Sequence, residues 1–274
     1  MKTLFFGTSA FAVPSLRVTA ARSQLAGVVT QPDRPAGRGQ KLTPSPVKAC
    51  ALELGTRVYE PRKLREFAES IAGEGFDLFA LASYGRILPE ELLSLPRLGA
   101  LNVHPSLLPK YRGATPIQTA LRNGDSETGV SIMLMDAGLD TGEVVLGERV
   151  PIASGETYGE LHDRLAIIGA ELLGHALDLA ASGGALPHSP QRGEPTLTKP
   201  IAKEDLIVDW SWPSQRIVDH VRAYSPQPAA RATVDGETVK VLRAHVGEEG
   251  KVEIDELIAP NRGRMSWSQY VQGK

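Results

Sequence analysis

A single cysteine, Cys50, leaves no room for an internal disulfide framework. It lies in the mostly apolar segment Val47–Leu54 and reads as a small buried hydrophobe. The six histidines and that one cysteine show no metal-ligand spacing, so no metal is expected. No G-x-G-x-x-G follows the first apolar run, Leu4–Phe6; Gly7-Thr8-Ser9 reads as a strand-to-helix turn, not a dinucleotide cradle. No serine stands in a G-x-S-x-G nucleophile elbow. No stretch approaches the ~18 apolar residues of a membrane helix. The run at the N-terminus is too short for a signal peptide, so the expected location is the cytoplasm. A strong charge bias is also missing. With 30 Lys and Arg against 32 Asp and Glu, the net charge is −2, and any nucleic-acid contact must come from a local patch. What remains is a chain of 274 residues, 42% hydrophobic and 23% charged, ordinary for a soluble globular enzyme of one large or two modest domains.

The first two-thirds alternate strand-like and helix-like segments. Leu4–Phe6 precedes a helical pattern over Ala10–Ala21, and Leu25–Thr30 is the next strand. Ser45-Pro46 supplies a helix cap and a first-turn proline for Val47–Leu54, with Gly55 as the stop. Val58-Tyr59, a charged helix from Pro61 to Gly73, and the apolar run Phe76–Ser83 follow. Leu98–Val103, Gly129–Met135 and Glu143–Arg149 read as strands, and Tyr158–Ala181 as a long amphipathic helix. This order predicts an α/β fold, a doubly wound and mostly parallel sheet, over residues 1–183. A proline-rich linker occupies 184–204. Residues 205–274 then carry one helix, Ser214–Ala223, and short strands at Ala230–Val234, Thr238–Ala244 and Val252–Ile258, a small β-rich second domain.

Chemistry concentrates in Asn102-Val103-His104-Pro105-Ser106-Leu107-Leu108-Pro109, just after the apolar run Leu98–Leu101. Residues two apart on a strand share a face, so Asn102 and His104 project together. Asp140 follows 31 residues after Pro109, in the glycine-bracketed loop Asp136–Gly142. An amide, an imidazole and a carboxylate on one face can polarise a carbonyl and manage its protons, with no metal and no covalent nucleophile. That set points to acyl transfer. Alone, His104 would read as a satisfied structural histidine, and Asp136 as a turn former. Tyr84, Asn102, His104 and Asp136–Asp140 all fall at expected strand ends, where open α/β sheets bind ligands.

The segment Gln31–Lys48 is the one basic stretch, with Arg34, Arg38, Lys41 and Lys48 against Asp33. It is too long for a simple strand-to-helix connection. Two readings stay open on the residues alone: a solvated surface loop, or a flexible basic loop that meets a polyanion.

These residues closely resemble the methionyl-tRNA formyltransferase family, within the folate-dependent formyltransferase superfamily. The resemblance runs from Leu4 to about Ala244. It rests on Phe6-Gly7-Thr8, Thr30–Gly39, Tyr84-Gly85 with Ile87-Leu88-Pro89, and Asn102-Val103-His104 with Ser106–Pro109. Arg112-Gly113-Ala114, Pro116-Ile117-Gln118, Met135–Gly142 and Ile207–Trp210 complete it. The resemblance implies 10-formyltetrahydrofolate as formyl donor and a β-barrel-like second domain of the oligonucleotide-binding type. It implies methionyl initiator tRNA as acceptor, for translation initiation, and Asn102, His104 and Asp140 as catalytic residues. Folate would be held by Tyr84, Gly85, Arg86, Ile87 and Leu88, by Ser106, Leu107, Leu108 and Pro109, and by Asp136. The tRNA would be held by Arg34, Arg38 and Lys41, and the expected state is a monomer with no membrane contact. A formyltransferase for a small amine (glycinamide ribonucleotide or a nucleotide-linked amino sugar) and a formyltetrahydrofolate hydrolase fit the same site residues. A tRNA-binding protein with a decayed site is the non-enzymatic alternative. Two departures stand out. The second domain is shorter than the resemblance implies after Ala244, and residues 200–274 hold 10 Lys and Arg against 11 Asp and Glu. Such a balance does not attract a phosphate backbone globally, which leaves Arg222, Arg243, Arg262 and Arg264 as candidates for a local stripe.

Overall fold

A strand covered on both faces carries an unbroken apolar run, as do β1 (Lys2–Gly7) over Leu4–Phe6 and all five residues of β6 (Leu78–Ala82). The two lie parallel inside a seven-stranded sheet. The computed structural model describes residues 1–36, 41–183 and 186–273. Between β1 and β6 stand α1 (Ala12–Arg22), β2 (Gln24–Val29), β3 (Arg34–Ala36), β4 (Lys41–Thr43), α2 (Pro46–Glu53), β5 (Val58–Tyr59) and α3 (Leu64–Ile71). After β6 come α4 (Glu90–Leu93), β7 (Ala100–His104), β8 (Arg112–Gly113) and α5 (Pro116–Arg122). β9 (Glu127–Leu134), β10 (Val144–Pro151) and the 24-residue α6 (Tyr158–Ala181) follow.

The sheet order is β10-β9-β7-β6-β1-β2-β5. Pairing is parallel from β5 through to β7, and β9 runs antiparallel to β7. The chain steps outward from β1 to β5 and then returns to the other side at β6, so the winding reverses between β1 and β6. That reversal needs a close turn. A Cβ on Gly7 would stand 2.8 Å from the Ala12 Cβ and 3.0 Å from the Ala82 carbonyl oxygen. Gly7 is therefore a close-approach residue, and beside it the Thr8 hydroxyl donates to the Tyr84 carbonyl at 2.9 Å. The expectation that Gly7 eases the strand-to-helix turn agrees with this packing.

Leu64, Phe67, Ala68 and Ile71 repeat at helical spacing on α3 and bury against Phe6 and Phe79. The Phe79 ring, fully buried, lies 5.1 Å from Phe6 and 5.5 Å from Phe76, centroid to centroid. Ser45 caps α2 as its sequence suggests, its Oγ accepting from the Lys48 amide at 3.0 Å. The basic segment differs from an unpaired loop. Arg34 pairs with Thr43, Pro35 with Leu42 and Ala36 with Lys41, so its two arms form an antiparallel hairpin. Arg38 lies outside the described residues.

Two compact units interleave along the chain. The first comprises Met1–Arg112, Gly129–Arg149 and Arg164–Pro195; the second comprises 113–128, 150–163 and the chain from 196 onward. Residues 186–195 of the expected linker thus fall in the first unit. After β11 (Leu197–Thr198), the second unit contains α7 (Ser214–Tyr224) and four antiparallel strands. These are β12 (Ala230–Val234), β13 (Glu237–Val246), β14 (Val252–Ala259) and β15 (Gly263–Ser266), closed off by α8 (Trp267–Gln272). They form a meander with β12 and β15 at its edges, around a core that includes Ile217, Val221, Val241, Leu257 and Tyr270. Among the described residues no helix is long and apolar enough to cross a membrane.

Truncating a buried ring removes apolar contacts and leaves a cavity. Phe79→Ala is expected to lower the unfolding free energy of the first unit by about 3–5 kcal/mol, read as a shifted midpoint in denaturant titration.

Candidate active site

β7 ends in Ala100-Leu101-Asn102-Val103-His104, with Leu101 and Val103 buried in the sheet and Asn102 half-buried. Strand alternation places Asn102 and His104 on the same face, as their spacing predicts. Beyond His104 the chain turns through Ser106–Pro109. This turn is fixed from β9: the buried Ser131 hydroxyl donates to the Ser106 carbonyl at 2.8 Å and accepts from the Leu108 amide at 3.2 Å. Ser106 itself is buried, its hydroxyl donating to the Lys110 carbonyl at 2.6 Å. Its side chain shapes the turn.

His104 is nearly inaccessible, at 4% exposure. Its Nε2 lies 3.0 Å from the Tyr111 carbonyl oxygen. A carbonyl only accepts, so Nε2 carries a proton, and in the neutral ring Nδ1 presents its lone pair. Nδ1 faces Asp140 Oδ2 at 3.7 Å, within ion-pair reach but too long for a direct hydrogen bond. Burial pushes the imidazole below its ordinary range, while the Asp140 charge and the Tyr111 carbonyl push the other way. The balance favours the neutral ring, with a carboxylate waiting beside the nitrogen that would take the next proton. The hydrogen bond that orients the ring comes from the Tyr111 backbone and not from Asp140.

Asp140 reaches this ring because β9 is antiparallel. The loop after β9 leaves beside the amino end of β7, where the Met135 amide donates to the Ala100 carbonyl at 2.8 Å. It then folds back to bring Asp140 to His104. Asp136 stabilises the fold-back: its Oδ1 accepts from the Gly138 amide at 3.0 Å and the Thr141 hydroxyl at 2.6 Å. Asp136 is exposed. Asp140 takes a left-handed backbone, with φ of 51°. A Cβ at Gly142 would lie 1.7 Å from the Leu134 carbonyl oxygen, so the loop closes on a contact no side chain could share.

The other expected folate residues divide by role. Tyr84 and Leu88 are buried, the Tyr84 ring edge-on to Phe6 at 5.6 Å; the Tyr84 carbonyl accepts from Gln31 Nε2 at 2.8 Å. The Arg86 guanidinium donates to the carbonyls of Pro61, at 2.9 Å, and Arg62, at 3.1 Å. Gly85, at φ of 78°, turns the chain, and Ile87 is 75% exposed. Leu107 and Leu108 are half-buried and Pro109 is buried. Leu139, on the Asp140 loop, is also exposed.

Among the cations of the basic segment, Lys48 is tied down. Its Nζ bonds Asp33 at 2.7 Å and Glu60 at 2.8 Å, and the Asp33 and Glu60 hydrogen bonds push its pKa up. Arg34, Arg38 and Lys41 remain the cations of the hairpin sequence. The four arginines offered for a local stripe in the second unit are each engaged within the chain. Arg222, only 12% exposed, bonds Asp219 at 2.7 Å, Arg243 bonds Glu160 at 2.5 Å, Arg264 grips Glu256 with both Nε and Nη2, and Arg262 donates to the Gly273 carbonyl at 3.2 Å. Each already has a partner within the chain. Two groups escaped sequence reasoning: the Tyr111 carbonyl and Gln191, whose amide bonds the carbonyls of Asp140 and Gly142.

Comparison with known proteins decides the family. Residues 1–177 match the formyl transferase family, and residues 200–253 match the formyl transferase C-terminal domain. The chain belongs to the formyl transferase family. It is 44% identical over 252 residues to a methionyl-tRNA formyltransferase of Pelotomaculum thermopropionicum, covering 91% of this chain and 80% of that one. It is 49% identical over 253 residues to the Paracidovorax citrulli protein of the same name, covering 88% and 77%. Among solved structures, a 4-N formyltransferase from Francisella tularensis superposes with a TM-score of 0.70 at 16% identity, covering 88% of this chain and 96% of that chain. A Helicobacter canadensis N-formyltransferase, crystallised with folinic acid and dTDP-3-aminofucose, gives 0.69 at 20% identity, covering 90% and 88%. These formyltransferase structures share its fold.

The depressed His104 pKa carries a sign. Between the ordinary histidine range near pH 6.5 and the lower value of the folded state, the unfolded chain binds more protons than the native one. His104 thus contributes stability that is complete above about pH 6.5 and is lost as the pH falls below it. His220, buried in the second unit and lowered by the same desolvation, acts in the same direction. Thermal melts at about pH 7.5 and pH 5.5 are expected to show a smaller acid-induced loss for His104→Gln than for the unaltered chain.

Proposed function

We propose that this protein transfers the formyl group of 10-formyltetrahydrofolate to the α-amino group of methionyl initiator tRNA in the cytoplasm. The observation that carries the reading is the buried His104 ring, 3.7 Å from Asp140 and two residues from Asn102, in a chain of this family. The donor supplies a formyl carbon held on nitrogen, open to attack by an amine. Asn102 stabilises the negative charge that grows on the formyl oxygen as the new C–N bond forms. The amine's proton passes through water to His104 Nδ1, where the Asp140 charge favours the cation; that cation adds to the stabilisation before the proton moves on to the nitrogen that departs as the old C–N bond breaks. One proton leaves the acceptor amine and one arrives on the leaving nitrogen. Each well-aimed donor contributes ~2.7–4 kcal/mol to such a transition state. Ile87, Leu107 and Leu139 offer the apolar contact for the pterin. Arg34, Arg38 and Lys41, the cations of this basic segment of the sequence, grip tRNA phosphates.

Incubating the protein with labelled formyl donor and, in turn, methionyl initiator tRNA, glycinamide ribonucleotide, a nucleotide-linked amino sugar and no acceptor tests the reading. Label appearing on methionyl-tRNA alone is the expected result; formate release without an acceptor would mark a hydrolase. Asn102→Ala, His104→Ala and Asp140→Ala should each cut kcat by about 100- to 1000-fold. The His104→Ala, Asp140→Ala double variant should lose less than the product of the single losses, because both groups act on one transition state. Near-normal turnover in Asp140→Ala would defeat the assignment.

Arg38→Ala should weaken tRNA binding and reduce the slope of log affinity against log salt by about 1, with folate affinity unchanged. Affinities measured at several salt concentrations decide this, and an unchanged slope would return the hairpin to a solvated surface role.

A further inference from the structure

Gln191 lies within the stretch whose prolines and glycines read as a linker, yet the structure fastens that stretch to the loop of Asp140. The backbone of Ser189 exchanges both hydrogen bonds with Val144, at 2.9 Å each, so residues around 189 lie antiparallel along the start of β10. His188 pairs with Glu143 beside this bridge. Two residues on, the Gln191 side chain is used at both ends. Its Nε2 donates to the Asp140 carbonyl at 2.8 Å and to the Gly142 carbonyl at 2.7 Å. Its Oε1 accepts from Arg112 Nε at 3.0 Å and Nη2 at 2.7 Å. A primary amide has two donor hydrogens and one acceptor oxygen with two lone pairs, and all four capacities are filled.

We propose that Gln191 and Arg112 form a positioning strut that holds the Asp140 carboxylate at the His104 ring. Asp140 sits at a left-handed φ of 51° in a loop whose residues 136–139 and 141 are exposed, a conformation that needs outside support. Local contacts from Asp136 shape the front of the loop but end at Thr141. The Gln191 amide takes the two carbonyls on either side of Thr141, and the Arg112 fork fixes the amide's orientation, oxygen toward the cation and nitrogen toward the loop. Only a side chain with a planar donor and acceptor can do both. Glutamate keeps the pair with Arg112 but turns a carboxylate onto two carbonyl oxygens. Methionine fills the space and makes neither contact.

The inference rests on the acyl-transfer reading of the site for its kinetic arm and on geometry alone for its spectroscopic arm. In Gln191→Met and Gln191→Glu, kcat for formyl transfer should fall by roughly 10- to 100-fold, the scale of a small misplacement of a catalytic group. KM for the acceptor should stay within about twofold, whereas KM for the donor should rise, because Leu139 of the same loop carries the proposed pterin contact. The His104 titration, followed by NMR of the labelled ring, should move down in Gln191→Met, since the Asp140 carboxylate is the charge whose field raises it, and less far in Gln191→Glu, whose own negative charge opposes the loss. Gln191→Glu keeps its cationic partner and is the variant to use if Gln191→Met fails to fold. An unmoved His104 midpoint together with unchanged kcat in Gln191→Glu would overturn the strut. A chain that formylates none of the acceptors would overturn the proposed reaction, while the His104 midpoint would still report whether Gln191 holds Asp140.

Discussion

A buried imidazole needs an answer at each nitrogen, and the first unit is organised around giving His104 both. At Nε2 the answer is permanent: the Tyr111 carbonyl fixes the tautomer whatever the pH. At Nδ1 it is conditional, a carboxylate 3.7 Å away that attracts a proton without being able to share a hydrogen bond in the neutral state. Desolvation keeps the ring uncharged, and the nearby charge makes protonation accessible when negative charge develops close by. This poise depends on the sheet. β7 presents the ring, antiparallel β9 starts the Asp140 loop on the far side, and Ser131 on β9 ties down the turn that carries Tyr111's side of the site.

The parts legible in the sequence are those written in adjacent residues. The spacing of Asn102 and His104 fixes a shared face on any strand, and Ser45-Pro46 fixes a helix start. Gly7 in a turn without companion glycines argues for packing, which its contacts with Ala12 and Ala82 demonstrate. The illegible parts depend on partners far along the chain. Strand direction is not encoded in local alternation, so the backward course of the Asp140 loop could not be read from Gly129–Met135. Tyr111 acts through a carbonyl that every residue owns. Gln191 is one glutamine in a proline-rich stretch with no period to mark it. Arg86 stands in a stretch expected to hold folate, but its guanidinium is bonded to the carbonyls of Pro61 and Arg62.

Charge shows the same division. A count of cations treats Arg243 and Arg264 as available, whereas Glu160, 83 residues from Arg243, and Glu256 on the neighbouring strand engage them. Glu160 is held to a pKa of about 2 chiefly by the Thr157 amide and hydroxyl at the start of α6, with Arg243 adding to them. That carboxylate is fixed first as a helix cap and only then as an ion-pair partner. Lys48 and Asp33 cancel each other at the root of the hairpin, so its formal charge rests with Arg34, Arg38 and Lys41.

Gly142 carries no functional group and has no unusual torsion, yet it bounds what this site can become. With the Leu134 carbonyl oxygen occupying the place of its absent Cβ, any variant at this position must spread the two ends of the loop before it can gain even a methyl group. Gradual change in the residues around Asp140 is therefore closed at the loop's hinge. Change in this loop is left to exposed Ala137 and Leu139, while Asp136 and the neck that delivers the carboxylate stay as they are.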